Sequence, residues 1–192
     1  KKADLNEKLF DQVFEKGTVK TEEEFRAKIA ESLQPQLEAN SDYKFMIDVR
    51  TYCEQKVGEI TWPDALLKRI MLANNKDKGE DFVEKNYAES IKQLEWHLIK
   101  EQLVKAAEVK VEDADIREAA KEMARMQFAQ YGMTSIPEEY IDNYANELLK
   151  KREAVDNFVE RAIDVKLAAA LKNTVTLNEK EITLDEFNEM MK

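Results

Sequence analysis

From Thr21 to Glu59 the chain reads TEEEFRAKIAESLQPQLEANSDYKFMIDVRTYCEQKVGE, a long stretch of helical periodicity with no glycine before Gly58. Only a long helix, or one helix broken once, accommodates such a segment, and the rest of the chain is expected to pack onto it. Thr21 and Glu24 form a capping box, in which hydroxyl and carboxylate satisfy amide donors that the first helical turn leaves unpaired. Phe25, Ile29, Leu33 and Leu37 then recur every four residues. Phe45, Met46, Val49, Cys53 and Val57 continue the apolar stripe at spacings of three and four, along one face of a 3.6-residue helix. Pro35 has no amide proton and its ring crowds the carbonyl of Glu31, so a kink or a break is expected there. Unbroken, the segment would span roughly 50 Å at 1.5 Å per residue, which predicts an elongated molecule.

The remaining sequence points the same way. Four glycines and three prolines in 192 residues are few turn signals for a many-stranded β fold and predict long helices joined by short connections. Apolar residues make up 43% of the chain, enough for a packed core beside 36% charged residues. A formal net charge of −10 disfavours nucleic-acid backbone, whose binding draws on clustered Lys and Arg. No apolar run is long enough to cross a bilayer, and the single cysteine cannot form an internal disulfide, which fits a reducing cytoplasm. The opening Lys1-Lys2-Ala3-Asp4, without Met, reads as a piece of something longer.

Taken in order, Leu5, Leu9, Phe10, Val13 and Phe14 share one side of a short helix, capped by Asn6 and ended by Gly17, that should lie against the long one. After Gly58, Thr61 or Trp62 caps a helix with Pro63 in its first turn, carrying Leu66, Leu67, Ile70 and Met71 to a polar turn at Asn74 to Gly79. Phe82, Val83, Tyr87, Ile91, Leu94, Leu98 and Leu103 make the returning helix of an αα-hairpin, Trp62 to Ala107. Acids at Glu112, Asp113 and Asp115 open a third long helix, with Ile116, Ala119, Met123, Met126 and Phe128 on its face, that stops at Gly132. Ser135-Ile136-Pro137 restarts a helix through Tyr140, Ile141, Tyr144, Leu148 and Leu149, and the pattern continues to Lys172 with a bend near Lys150. This second hairpin runs from Glu112 to Lys172. Thr174 to Leu177 alternates like an edge strand, and Thr183 with Glu186 caps a terminal helix that bears Leu184, Phe187 and Met190.

Sequence signatures of catalysis are missing. His97 has no partners at metal-ligand spacing, and Cys53, on an apolar stripe, reads as an inert core thiol; His97 between Trp96 and Leu98 reads as a packed core or interface side chain. No phosphate loop, GxSxG or HExxH occurs, so no catalytic residue, metal or cofactor is expected. What stands out is apolar crowding at two hairpin tips. Ile70, Met71, Leu72 and Phe82 gather at the first. Met123, Met126, Phe128, Tyr131, Met133, Ile136, Tyr140 and Tyr144 gather at the second. A two-helix arm with no third layer cannot cover such a face, and unbranched, polarizable methionine suits adaptable contact with varied apolar partners. These residues are the candidate substrate-binding faces.

Three passages carry a family resemblance: LNEKLFDQVFEKGTVKTEEEFRAKIAESL (Leu5 to Leu33), ITWPDALLKRIM (Ile60 to Met71) and VKLAAALKNTVTLNEKEITLDEFNEMM (Val165 to Met191). With their order along the chain, they resemble the C-terminal domain of trigger factor, the bacterial ribosome-associated chaperone. The resemblance implies an all-α fold with an elongated body (residues 1–60 and 173–192) and two helical-hairpin arms (61–108 and 109–172). It also implies binding of unfolded or nascent polypeptides by apolar arm faces, without ATP or cofactor. The family's GFRxGxxP-type ribosome-docking loop and its peptidyl-prolyl isomerase domain are missing from this sequence. Ribosome contact is therefore expected only through an N-terminal domain outside it, and no isomerase activity is expected of this segment. A cytoplasmic location, a possible homodimer and no direct nucleic-acid or membrane partner complete the expectation. Its rivals are a periplasmic SurA-type chaperone domain, built on a similar helical plan, and a helical oligomerisation scaffold.

Overall fold

Side-chain caps set where several helices of this chain begin. The computed structural model describes residues 4–133 and 136–191, and among them it contains eight α-helices and no strand. They are α1 (Glu7–Val13), α2 (Glu22–Val57), α3 (Asp64–Asn74), α4 (Gly79–Ala106), α5 (Asp113–Gln130), α6 (Glu138–Leu149), α7 (Arg152–Thr174) and α8 (Leu184–Met190). The all-α expectation is met; Ser135, expected to restart a helix, lies outside the described residues. Asn6 caps α1, its Oδ1 accepting from the Leu9 amide at 3.1 Å. At α2 the Glu24 amide donates to Thr21 Oγ1 and the Thr21 amide to the Glu24 carboxylate, both at 3.2 Å. With a further amide bond from Lys20, the first turn holds the Glu24 carboxyl below its ordinary pKa. Thr183 and Glu186 repeat the box at α8, as expected from the sequence.

Several local expectations are corrected. α1 ends at Val13 with Phe14 as its C-cap, and Gly17 sits in the turn beyond, at φ +79, its amide bound to Asp11 Oδ1 at 2.9 Å. Pro63 itself occupies the N-cap of α3, with neither Thr61 nor Trp62 capping it. α2 runs through Pro35 without a break. Residues 31–39 are all exposed, so water can satisfy the Glu31 carbonyl that the proline leaves without an amide donor. Thr174 closes α7, and residues 175–183 are irregular, because an alternating segment with no neighbouring strand has no ladder to join.

The chain divides into two units, Lys1–Asp48 and Val49–Lys192. In the first, α1 lies against α2 through an aromatic trio. Phe10 stacks on Phe25 at 4.7 Å between centroids, and Phe14 meets Phe25 edge-on at 5.6 Å. Phe10 and Val19 are buried, and Leu5, Phe25, Ile29 and Leu33 line an open groove of about 370 Å³ beside them.

In the second unit, α3 and α4 form the expected hairpin. Val83 is buried between them, the Tyr87 hydroxyl donates to Asp64 Oδ1 at 2.6 Å, and Lys68 pairs with Glu84 at 2.7 Å. Desolvation, then the bond to Asp64, pushes the Tyr87 phenol up to about 12. α4 is tied to α7 by Lys100, which reaches Glu160 at 2.6 Å and Asp164 at 3.1 Å.

The densest packing is a three-helix bundle of α5, α6 and α7. Its core is Ala119, Ala120, Ala145 and Phe158, ringed by Ile116, Met123, Leu148, Leu149 and Ala154. Small alanines let the helix axes approach closely, and Phe158 fills the space that they leave. Two expectations change accordingly. Where one bent helix was expected through Lys150, α6 stops at Leu149 and α7 restarts at Arg152, packing on both α5 and α6 as a third layer. No residue of α2 is buried, so the core is built on α5 to α7 and not on the long helix. Periodicity marks which residues share a face, and it is silent on what covers that face.

The bundle also carries a pH-sensitive tie. Lys166 of α7 donates to Asp115 of α5 at 2.6 Å. That bond, then the amide of Glu112, holds the Asp115 carboxyl below its ordinary 3.8. An acid depressed on folding stabilises the fold above its unfolded pKa and loses that contribution as pH falls through the lower folded value. The melting temperature should therefore drop on acidification below about pH 4, and Asp115→Asn should flatten that limb. Native and variant melts that track each other across the acid range would show that the tie contributes nothing.

Candidate functional site

The α5–α6 tip is built by a helix terminator and a set of ion pairs. Gly132, at φ +76, lets the chain turn left-handed after Tyr131. The Met133 amide then donates to the Phe128 carbonyl at 3.0 Å and the Gly132 amide to the Ala129 carbonyl at 2.9 Å, the paired bonds of a Schellman motif. This fixes the backbone of Met133 beside that of Phe128. Across the tip, the Phe128 and Tyr144 rings meet at 5.4 Å and 54°, and the Tyr144 hydroxyl donates to Gln127 Oε1.

Charged groups hold α6 antiparallel on α5. Lys121 pairs with Glu138 at 3.3 Å and Asp142 at 2.5 Å, Arg125 with Glu138 at 2.9 Å and Glu118 at 2.7 Å, and Arg117 donates to Asn146 at 3.1 Å. The hydrogen bond to Asp142 raises the Lys121 ammonium despite desolvation. The pairing sets the frame on which the tip side chains stand.

Four of the eight candidates there are open to solvent: Met126 is 41% exposed, Tyr131 80%, Met133 55% and Tyr140 63%. Phe128, Tyr140 and Tyr144, with Asn143, Asn146 and Glu147, line an open groove of about 580 Å³. Phe128, Ile136 and Tyr144 are half-buried. Met123 is half-buried too, but packs against the alanine core and so belongs to the bundle interior.

At the α3–α4 tip the candidates divide similarly. Ile70 is exposed, while Met71, Leu72 and Phe82 are half-buried, with Lys78 Nζ 4.5 Å from the centroid of the Phe82 ring. Leu66, one turn before Ile70, is equally open and was not among the expected site residues; its spacing of four from Ile70 is the signal that could have joined them. Leu33 and Leu37 of α2 are also exposed, although their spacing reads as core.

Burial, then Glu54, pushes the Cys53 thiol up, away from the reactive thiolate. His97, expected as a core or interface side chain, is more than half exposed and so is not core, and lies 3.9 Å from the Glu101 carboxylate. Among the described residues no group of three His, Cys, Asp or Glu side chains could hold a metal ion, and no helix is long and apolar enough to cross a membrane. What the tips offer is exposed apolar and aromatic surface.

Comparison with known proteins adds the family. A family model described as probable trigger factor, C-terminal domain, matches residues 41–191. No curated protein matches the chain, and no solved structure does. The matched domain of that family has a chaperone-like role. A match over most of the sequence, on a chain whose described residues form helices and no strand, shows that this chain belongs to the trigger factor C-terminal domain family.

Proposed function

We propose that the chain acts as an ATP-independent chaperone domain in the cytoplasm, seating extended apolar segments of unfolded or nascent polypeptides on the α5–α6 tip. The observation that carries this reading is the exposure of Met126, Tyr131, Met133 and Tyr140 at one end of a bundle whose own core is already filled by Phe158 and alanines. Leaving four large apolar side chains in water forfeits burial worth about 25 cal/mol per Å², and a partner that covers them recovers it. Rotatable methionine and flat tyrosine fit many apolar sequences without fixed complementarity. The exposed Leu66 and Ile70 on α3 supply a second contact for a long client. Each contact is weak, so binding is spread over many of them and clients are released without chemistry. The acidic net charge keeps the empty domain dispersed.

The test is aggregation of a chemically unfolded enzyme on dilution, followed by light scattering with and without the chain, alongside sedimentation across a range of chain concentrations. Suppressed scattering at near-equimolar chain is expected. A stable dimer that leaves scattering unchanged would favour a helical scaffold whose apolar faces bury one another.

A further inference from the structure

Two of the four open side chains at the α5–α6 tip are thioethers, and their environment differs sharply from that of the neighbouring Met123. Met126 stands on α5 within its last turns, and Met133 is carried by the Schellman turn, both with side chains open to water. Met123, one turn before Met126, is packed against the alanine core. Tyr131, the most exposed aromatic of the tip, lies between the two in sequence. A reagent arriving from solvent therefore meets Met126 and Met133 before it meets Met123.

We propose that Met126 and Met133 are a modification site at which a hydroperoxide switches the tip from apolar to polar. In the step, the thioether sulfur attacks the distal oxygen of the peroxide and the O–O bond breaks. An S–O bond forms, and water leaves when the oxidant is hydrogen peroxide; sulfur is oxidised and peroxide reduced, by two electrons each. The sulfoxide is a polar, chiral hydrogen-bond acceptor in place of an apolar one. Seating an apolar segment over it would desolvate that acceptor without giving it a donor, which opposes binding. Because both residues are exposed and neither belongs to the core, oxidation leaves the bundle core intact, and thiol-dependent reduction of the sulfoxides restores the apolar surface. The switch rests on the client-binding reading of the same tip.

The experiment uses the full chain, exposed to hydrogen peroxide and then freed of it. Peptide mass mapping follows each methionine, and fluorescence anisotropy reports binding of a labelled apolar peptide that lacks Met and Cys. Met126 and Met133 should oxidise well before Met123, and the Kd should rise about ten-fold with the circular dichroism spectrum unchanged. Met126→Leu with Met133→Leu, which removes both sulfurs and keeps the surface apolar, should show the same Kd before and after peroxide, whatever its Kd relative to the native chain. Oxidation of both sulfurs with no change in Kd would overturn the switch alone. So would a Leu variant as peroxide-sensitive as the native chain, since another methionine, such as the exposed Met190, would then be the responsive site. An untreated chain that does not bind the peptide would overturn the client-binding reading and the switch with it.

Discussion

Replacing Phe158 with Ala should lower the melting temperature of the α5–α7 bundle by about 10 °C. Phe158 is 5% exposed, and its immediate core neighbours Ala119, Ala120 and Ala145 end in a methyl group. Such short side chains cannot swing in to refill the space, so truncation leaves a cavity and costs about 3–5 kcal/mol. For a chain of this length each kcal/mol moves the midpoint by about 2–4 °C. The larger residues at the rim, Ile116, Met123, Leu148 and Leu149, are held by their own helices and recover part of the loss. Thermal and denaturant melts of the full chain check this, with Leu37→Ala as the control; Leu37 is exposed on α2 and should change stability by less than about 0.5 kcal/mol. A Phe158 variant as stable as that control would mean that the bundle is not where folding energy concentrates.

Charging the tip should do the reverse, removing binding while sparing the fold. Met126→Lys combined with Tyr131→Lys and Met133→Lys should weaken binding of an apolar peptide at least ten-fold, about 1.4 kcal/mol, and move the melting temperature by less than about 2 °C. Lys is chosen at all three positions because cations suit the C-terminal end of α5, where an added carboxylate would oppose the helix dipole. The three native side chains are too exposed to contribute much to folding. A peptide lying across the variant tip would have to desolvate charges that it cannot pair, which is the source of the lost affinity. Parallel losses of stability and binding would make these residues core; unchanged binding would move the client site away from this tip.

The sequence was most reliable where a local chemical rule decides structure. Asn6, the Thr21–Glu24 box and the Thr183–Glu186 box start helices where their side chains imply, because a cap is satisfied within three or four residues. The α3–α4 hairpin follows from two apolar stripes and the polar turn between them. Local rules also misled. Of the kink or break expected at Pro35, the break does not occur, because residues 31–39 are exposed and water can satisfy the carbonyl that proline leaves without an amide donor. Thr174 to Leu177 alternates as a strand would, but β structure needs a second strand, and alternation does not supply one.

Which apolar faces are covered is a different kind of question. Leu33 and Leu37 repeat at the spacing of core residues and are exposed, while Ala120 and Ala145, which carry little hydrophobic signal, are almost wholly buried. At the α5–α6 tip the sequence grouped eight residues, and the tertiary structure divides them: Met123 is turned to the core by α7, and Met126, Tyr131, Met133 and Tyr140 are left in water. The amino-acid sequence by itself determined an all-helical chain, most of its helix starts and the stripe to which each side chain belongs, since these depend on residues a few positions apart. Only the tertiary structure decided that α7 closes over α5 and α6 and where that cover stops, because burial is set by contacts between residues far apart along the chain.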